Sequence, residues 1–139
     1  MGFSWLFDKN RLIIWHQFIT LIQRHLEDTN EIDEFYFTLL LDASKRWEKQ
    51  NPKRLVCESY LKLLTFEGRT YFKNICYLCE MPLKNEISLM QGFKFTHPHC
   101  LNASFLHQKQ IEHFLTTQKT TFFDDNEIEY LYSIILKGL

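Results

Sequence analysis

Cys76-Tyr77-Leu78-Cys79 is followed, after 17 intervening residues, by His97-Pro98-His99-Cys100. In each pair, the two-residue gap allows a tight turn to aim two ligands at one ion, and a hairpin between the pairs brings them opposite each other. The spacing therefore predicts a Zn²⁺ site whose ligands are Cys76, Cys79, His97 and Cys100. Four protein ligands close a tetrahedron and leave no position for water or substrate, so the expected role of the ion is structural.

The Cys-x-x-Cys pair also has other interpretations. A thiol redox motif has this spacing, but the strand-then-helix context that lowers a thiol pKa is missing, and the second pair is then unexplained. A disulfide is disfavoured in the cytosol, and unrelated reduced cysteines are the remaining alternative. For the fourth ligand, His99 and His107 compete with His97, which we favour because it has the paired spacing.

Three amphipathic helices are predicted before these pairs. Apolar residues recur at spacings of three and four in residues 8–26, where Asp8 is a possible cap, and again in residues 32–50. Asn51-Pro52 combines a capping side chain with a proline suited to the first helical position, so it starts a third helix. That helix ends at Gly68 or near Thr70-Tyr71, and Cys57 inside it is expected to be buried without chemistry.

The helical period disappears in residues 71–100, where Gln91-Gly92 is expected to turn a small hairpin. Helix returns around Phe105 and continues through Leu115, and a last helix opens at the capping box 124–127. We therefore predict a mainly α fold: one domain over residues 1–139, a helical bundle with an inserted small zinc-binding knuckle and hairpin. The insert, about 71–100, has too little apolar material to order itself, so the metal is expected to hold it together.

Length and composition agree with one compact domain. The chain has 139 residues, of which 45% are hydrophobic and 16% aromatic, so disorder is not expected. No apolar run approaches the ~20 residues that cross a bilayer, and no signal peptide is visible, so the cytoplasm is the expected compartment. A net charge of −1 argues against a protein that coats nucleic acid with its whole surface.

That near-neutral charge is unevenly distributed. Residues 1–44 hold three basic and seven acidic groups, whereas residues 45–73 hold eight basic and three acidic groups. Five of the cations fall within ten positions, and we call them the basic cluster: Lys45, Arg46, Lys49, Lys53 and Arg54. The cluster has two interpretations. It is either a solvated helix end, where the negative C-terminal end of the helix dipole stabilises cations, or a binding site for an anionic partner.

The third helix and the ligand pairs together resemble the RecO family of DNA repair and recombination mediators. The similar segments are Glu58-Ser59-Tyr60-Leu61-Lys62-Leu63-Leu64-Thr65-Phe66-Glu67-Gly68-Arg69, Asn74-Ile75-Cys76-Tyr77-Leu78-Cys79 and Gly92-Phe93-Lys94-Phe95-Thr96-His97-Pro98-His99-Cys100. They follow the family's order of a helix ending in glycine, a first knuckle, and a glycine-led strand into a second knuckle. RecO commonly has four cysteines at the metal, whereas here His97 takes the third place. No pattern of the family's N-terminal OB-fold precedes the first helix, so we expect the chain to match the C-terminal helical and zinc-binding part.

The resemblance implies a recombination mediator without catalytic activity. Such a protein works with RecR and single-strand binding protein (SSB) to load RecA on coated single-stranded DNA. It also implies that the helical domain binds the acidic, aromatic-ended C-terminal tail of SSB, for which the basic cluster would supply the cations.

Two other function classes fit the sequence less well. A zinc-ribbon regulator that binds nucleic acid should concentrate cations on the insert, but residues 74–100 hold only Lys84 and Lys94, against Glu80 and Glu86. A zinc-dependent hydrolase or deaminase needs an open coordination position, which four protein ligands do not leave. Both alternatives are therefore weaker than a binding module.

Overall fold

A computed structural model describes residues 4–70 and 72–139. The described chain forms a 3₁₀ turn, six α-helices and three short strands. In chain order these are the turn Ser4–Phe7, α1 Lys9–His25, α2 Glu34–Arg46, α3 Pro52–Phe66, β1 Glu86–Met90, β2 Lys94–Thr96, α4 Pro98–Leu101, β3 Leu106–His107, α5 Gln108–Thr117 and α6 Asp125–Ile135. The prediction of a mainly α fold is confirmed, although a small sheet accompanies the helices. Tyr71, the expected first residue of the insert, and residues 1–3 lie outside the described part.

Local capping sets the start of the major helices. The Asp8 side chain accepts a hydrogen bond from the backbone N–H of Arg11 at 3.1 Å, and that of Asn51 accepts one from Lys53 at 3.0 Å. Asp124 and Glu127 form a reciprocal capping box at the start of α6. None of the helices in the described ranges is both long and apolar enough to cross a bilayer.

Helix α2 ends at Arg46, four residues before the expected end near Gln50. Trp47 is fully buried, and its indole N–H donates to the carbonyl of Arg11 at 3.0 Å. In return, the Arg11 guanidinium donates to the carbonyls of Trp47 and Gln50, which the helix end leaves without intrahelical partners. This exchange between α1 and the end of α2 replaces the additional helical turn.

The core is built around α3, where ten of fifteen residues are buried. Cys57 lies in that buried row with no exposed surface, which agrees with its expected packing role. On one side, the Trp47 ring stacks against Phe18 at 6.2 Å and meets Trp15 edge-on at 4.9 Å. Helix α6 also packs against α3, with Ile128, Leu131 and Ile135 almost fully buried.

The sheet has the order β2-β1-β3 and is antiparallel throughout. The predicted hairpin is confirmed: β1 and β2 pair Ser88 with Thr96 and Met90 with Lys94 around the turn at Gly92. The helix expected around Phe105 begins only at Gln108. Leu106 instead pairs with Ile87 as part of β3, because this extended pairing buries both apolar side chains.

The hairpin belongs to the hydrophobic core. Ile87, Leu89 and Phe93 are at most 3% exposed, and the Phe93 ring meets Tyr60 of α3 edge-on at 4.8 Å. The Leu89 backbone N–H also donates to the Tyr130 hydroxyl of α6 at 2.9 Å. The insert therefore buries more apolar side chains in the core than its sequence suggested. Only the knuckle at residues 74–82 has few of them among the described residues of the insert.

Candidate metal centre

The first ligand pair lies in a tight turn. Ile75 and Pro82 form an isolated antiparallel bridge, and inside it the Cys76 N–H donates to the Met81 carbonyl at 2.9 Å. Glu80 then donates its N–H to the Cys76 carbonyl at 3.0 Å and has a φ of 63°, in the left-handed region. This backbone reversal places Cys76 and Cys79 on the same side of the turn.

The second pair lies where β2 passes into α4. Thr96 ends the strand, His97 caps the single helical turn that Pro98 opens, and Cys100 lies within that turn. The Tyr77 N–H donates to the Phe95 carbonyl at 2.8 Å, which joins the first turn to β2. Pairing along β2 therefore holds the second pair opposite the first.

All four expected ligands converge. The Sγ atoms of the three cysteines and the ligand nitrogen of His97 lie within 4.8 Å of one another. His97 Nδ1 is 3.2 Å from Cys79 Sγ and 3.8 Å from Cys100 Sγ. His99 is exposed and its ring stacks on that of His97 at 4.9 Å, but it is not among the residues whose ligand atoms converge. The arrangement could hold a metal ion.

A backbone carbonyl orients the imidazole. His97 Nε2 is 2.9 Å from the Pro82 carbonyl oxygen, and because a carbonyl only accepts, Nε2 carries the proton. In the neutral imidazole, Nδ1 is then the nitrogen that carries the lone pair, and it lies beside the sulfurs, as a metal ligand requires. The sequence contained no signal for Pro82, because its contribution is a main-chain oxygen.

The backbone also favours a thiolate at Cys76. Burial raises the pKa of this thiol, but it is outweighed by hydrogen bonds from the N–H groups of Cys79 and His97, at 3.5 and 3.4 Å, and from the Leu78 backbone and the Cys79 side chain, which lower the pKa to about 6. At Cys100, burial and then the neighbouring Cys79 and Cys76 raise the pKa to about 11. Three thiols this close cannot all ionise without a compensating cation, which a bound metal ion supplies.

The basic cluster is divided by the fold. Arg46 lies 3.3 Å from Asp42 and 3.6 Å from the buried Glu58, and Lys53 pairs with Glu129 at 2.6 Å. The Arg54 guanidinium donates to the carbonyls of Thr120 and Phe123 and to Asp125. Of these five cations, only Lys45 and Lys49 are exposed and without an ion pair to another described residue. Binding of an anionic partner by the whole cluster stays a prediction.

A second polar cluster had no signal in the sequence. The Glu67 carboxylate, just after α3, accepts hydrogen bonds from His25 at 2.6 Å, from the Tyr36 hydroxyl, and from Arg69 at 2.9 Å. Burial raises the pKa of Glu67, but these three hydrogen bonds outweigh it, and the net shift is downward. The cluster joins the ends of α1 and α3 to α2.

A scan against protein-family models finds no match for this chain, and a search of curated proteins finds none either. The resemblance to the RecO family therefore stays a prediction.

Proposed function

We propose that the chain is a zinc-stabilised binding module, in which one Zn²⁺ is held by Cys76, Cys79, His97 and Cys100. The observation that carries this is the convergence of three sulfurs and one correctly oriented imidazole nitrogen within 4.8 Å. In a tetrahedral zinc site, bonds of about 2.3 Å to sulfur and 2.0 Å to nitrogen place neighbouring ligand atoms roughly 3.5 Å apart. The distances of 3.2 and 3.8 Å from His97 Nδ1 fit that requirement.

The zinc is structural in this proposal. Four protein donors fill a tetrahedron, so no position is open for the activated water of a hydrolase or deaminase. The knuckle around the ion exposes Ile75, Tyr77, Leu78 and Met81. Because these side chains bury little apolar surface, metal binding supplies the energy that orders the turn.

Metal analysis of the purified chain tests the zinc site. We expect one equivalent of zinc, which Cys76→Ser and His97→Ala lose. Cys57→Ala is the matched control, because it removes a thiol that lies in the core and away from the site. Metal-free wild-type protein, purified without a chelator, would contradict the proposal.

The wider role is that of a RecO-type recombination mediator without catalytic activity. Three features support this: the helical domain, the zinc insert after its third helix, and exposed cations suited to an acidic partner. In this role the chain binds the acidic C-terminal tail of SSB, contacts RecR and single-stranded DNA, and helps to load RecA. Each of these contacts requires binding and no catalysis, so a metal site without an open coordination position is compatible with them.

Retention of SSB on immobilised protein tests this role. SSB with its C-terminal tail should be retained, and SSB that lacks this tail should not be retained. Equal retention of the two forms, or of neither, contradicts an acidic-tail partner.

A further inference from the structure

A groove of about 690 Å³ opens between the end of α3, the first knuckle and β2. Its lining includes Arg69, Phe72, Ile75, Tyr77, Lys94 and Phe95. The volume lies in the range of pockets that take a small molecule or a few side chains. It lies beside the metal centre, since Cys76 also lines it, and it involves none of the basic cluster.

The charge around the groove is mainly positive. Arg69, Lys73 and Lys94 line it, against Glu80 alone. The Lys94 ammonium lies 4.5 Å from the centre of the Tyr77 ring and 3.3 Å from its hydroxyl, and it makes no ion pair within the described residues. Arg69 is already bound to Glu67, whereas Lys94 remains able to meet an external carboxylate at the edge of the groove.

Aromatic rings form much of the groove lining. Phe72 and Phe95 stack on each other at 5.3 Å with an angle of 16° between planes, so each ring has one face covered by the other. Lys94 covers a face of Tyr77. Single-stranded nucleic acid binds to open aromatic faces, whereas an incoming aromatic side chain also packs well against ring edges.

We infer that this groove binds an acidic peptide segment by inserting one aromatic side chain between Ile75 and the Phe72–Phe95 pair, with Lys94 meeting a flanking carboxylate. The inference rests on the proposed function in that both invoke an acidic partner, but it moves the site away from the basic cluster. Three of the five cluster cations already have partners inside the fold, whereas the groove combines charge with an apolar hollow.

Fluorescence anisotropy with a labelled synthetic peptide rich in Asp and Glu and carrying one Phe tests the site. The full chain should bind this peptide and lose at least about tenfold in affinity when the peptide Phe is replaced by Ala. Lys94→Glu and Ile75→Ser should each cause a loss of about tenfold. Lys84→Glu and Leu78→Ser are the matched controls, because both residues are exposed on the same insert and lie outside the groove.

Unchanged binding in the two controls, with losses in the two groove variants, supports the inference. If the double variant Lys45→Glu with Lys49→Glu abolishes peptide binding and the groove variants do not, the groove is not the peptide site. The proposal that the chain binds an acidic partner would then still hold. If the peptide does not bind at all, the groove inference and the acidic-tail part of the proposed function both fail. Binding of an oligothymidylate strand in the groove, and not of the peptide, assigns it to nucleic acid and overturns the inference.

Discussion

His97 donates a hydrogen bond from Nε2 to the Pro82 carbonyl at 2.9 Å, and Pro82 is bridged to Ile75 at the base of the first knuckle. One knuckle thus orients the ligand that belongs to the other. The bond also selects the neutral imidazole tautomer whose Nδ1 lone pair faces the sulfurs. Main-chain contacts as well as spacing therefore bring the two pairs into an arrangement that could hold one ion.

Histidine substitutions should separate the two candidates for the fourth ligand. His97→Ala is expected to lower zinc content and weaken affinity by at least about tenfold, because it removes both the donor atom and the contact to Pro82. His99→Ala should keep one equivalent, since that ring only stacks on His97. A competition titration with a chromophoric chelator measures both affinities. Loss of zinc in the His99 variant alone would assign the ligand to His99.

Glu80→Gly should stabilise the protein by about 0.5–1 kcal/mol. Glu80 has a φ of 63°, which costs a residue with a Cβ atom about 1–2 kcal/mol, and glycine removes most of that cost while losing some backbone entropy. Chemical denaturation of the metal-bound protein measures the difference. Glu86→Gly is the control: Glu86 lies at the start of β1, where glycine is expected to destabilise. Equal destabilisation by both changes would rule out strain at Glu80.

The Glu67 cluster should make part of the stability pH-dependent. Because the pKa of Glu67 is lowered in the folded state, its contribution is present above the unfolded carboxyl pKa of about 4.3 and is lost as pH falls through the folded value. Glu67→Gln is expected to cost about 1–3 kcal/mol at pH 7, and the difference from wild type should shrink below about pH 4.

Urea denaturation of both proteins across this pH range, followed by tryptophan fluorescence, checks the prediction. Loss of the metal in acid affects both proteins, so the difference between them isolates Glu67. The exposed Glu112→Gln, in the middle of α5, is the control and should show no such convergence. A gap between wild type and Glu67→Gln that persists at low pH would contradict the ionised hydrogen-bonded carboxylate.

Removal of the metal should unfold the knuckles before the core. Residues 74–82 and 97–100 have few buried apolar side chains, whereas the hairpin contributes Ile87, Leu89 and Phe93 to the core. Hydrogen exchange after chelation is therefore expected to accelerate in those two segments and to stay slow in α3. Simultaneous loss of protection in α3 would show that the ion holds the whole fold together.

The residues that were predictable from the sequence act over short distances along the chain. The caps at Asp8, Asn51 and Asp124 each bind an N–H within three residues, and each ligand pair is set by a two-residue gap. Apolar spacing likewise indicated α1 and α3, because one buried face of a helix repeats every three to four residues. These signals are local, so they can be recognised in the sequence without knowledge of the fold.

Tertiary structure decided what depends on distant partners. Lys53 and Arg54 are neighbours in a basic run, yet Glu129 and Phe123, roughly half the chain away, bind them inside the fold. Leu106 lies in strand β3 because its backbone pairs with that of Ile87, although the sequence around Leu106 favoured a helix. The groove beside Lys94 likewise exists only where α3, the knuckle and β2 meet.

The sequence by itself determined the capped helices and the ligand spacing. Packing determined which cations face solvent, because ion pairs and buried apolar contacts join residues whose proximity no local pattern encodes.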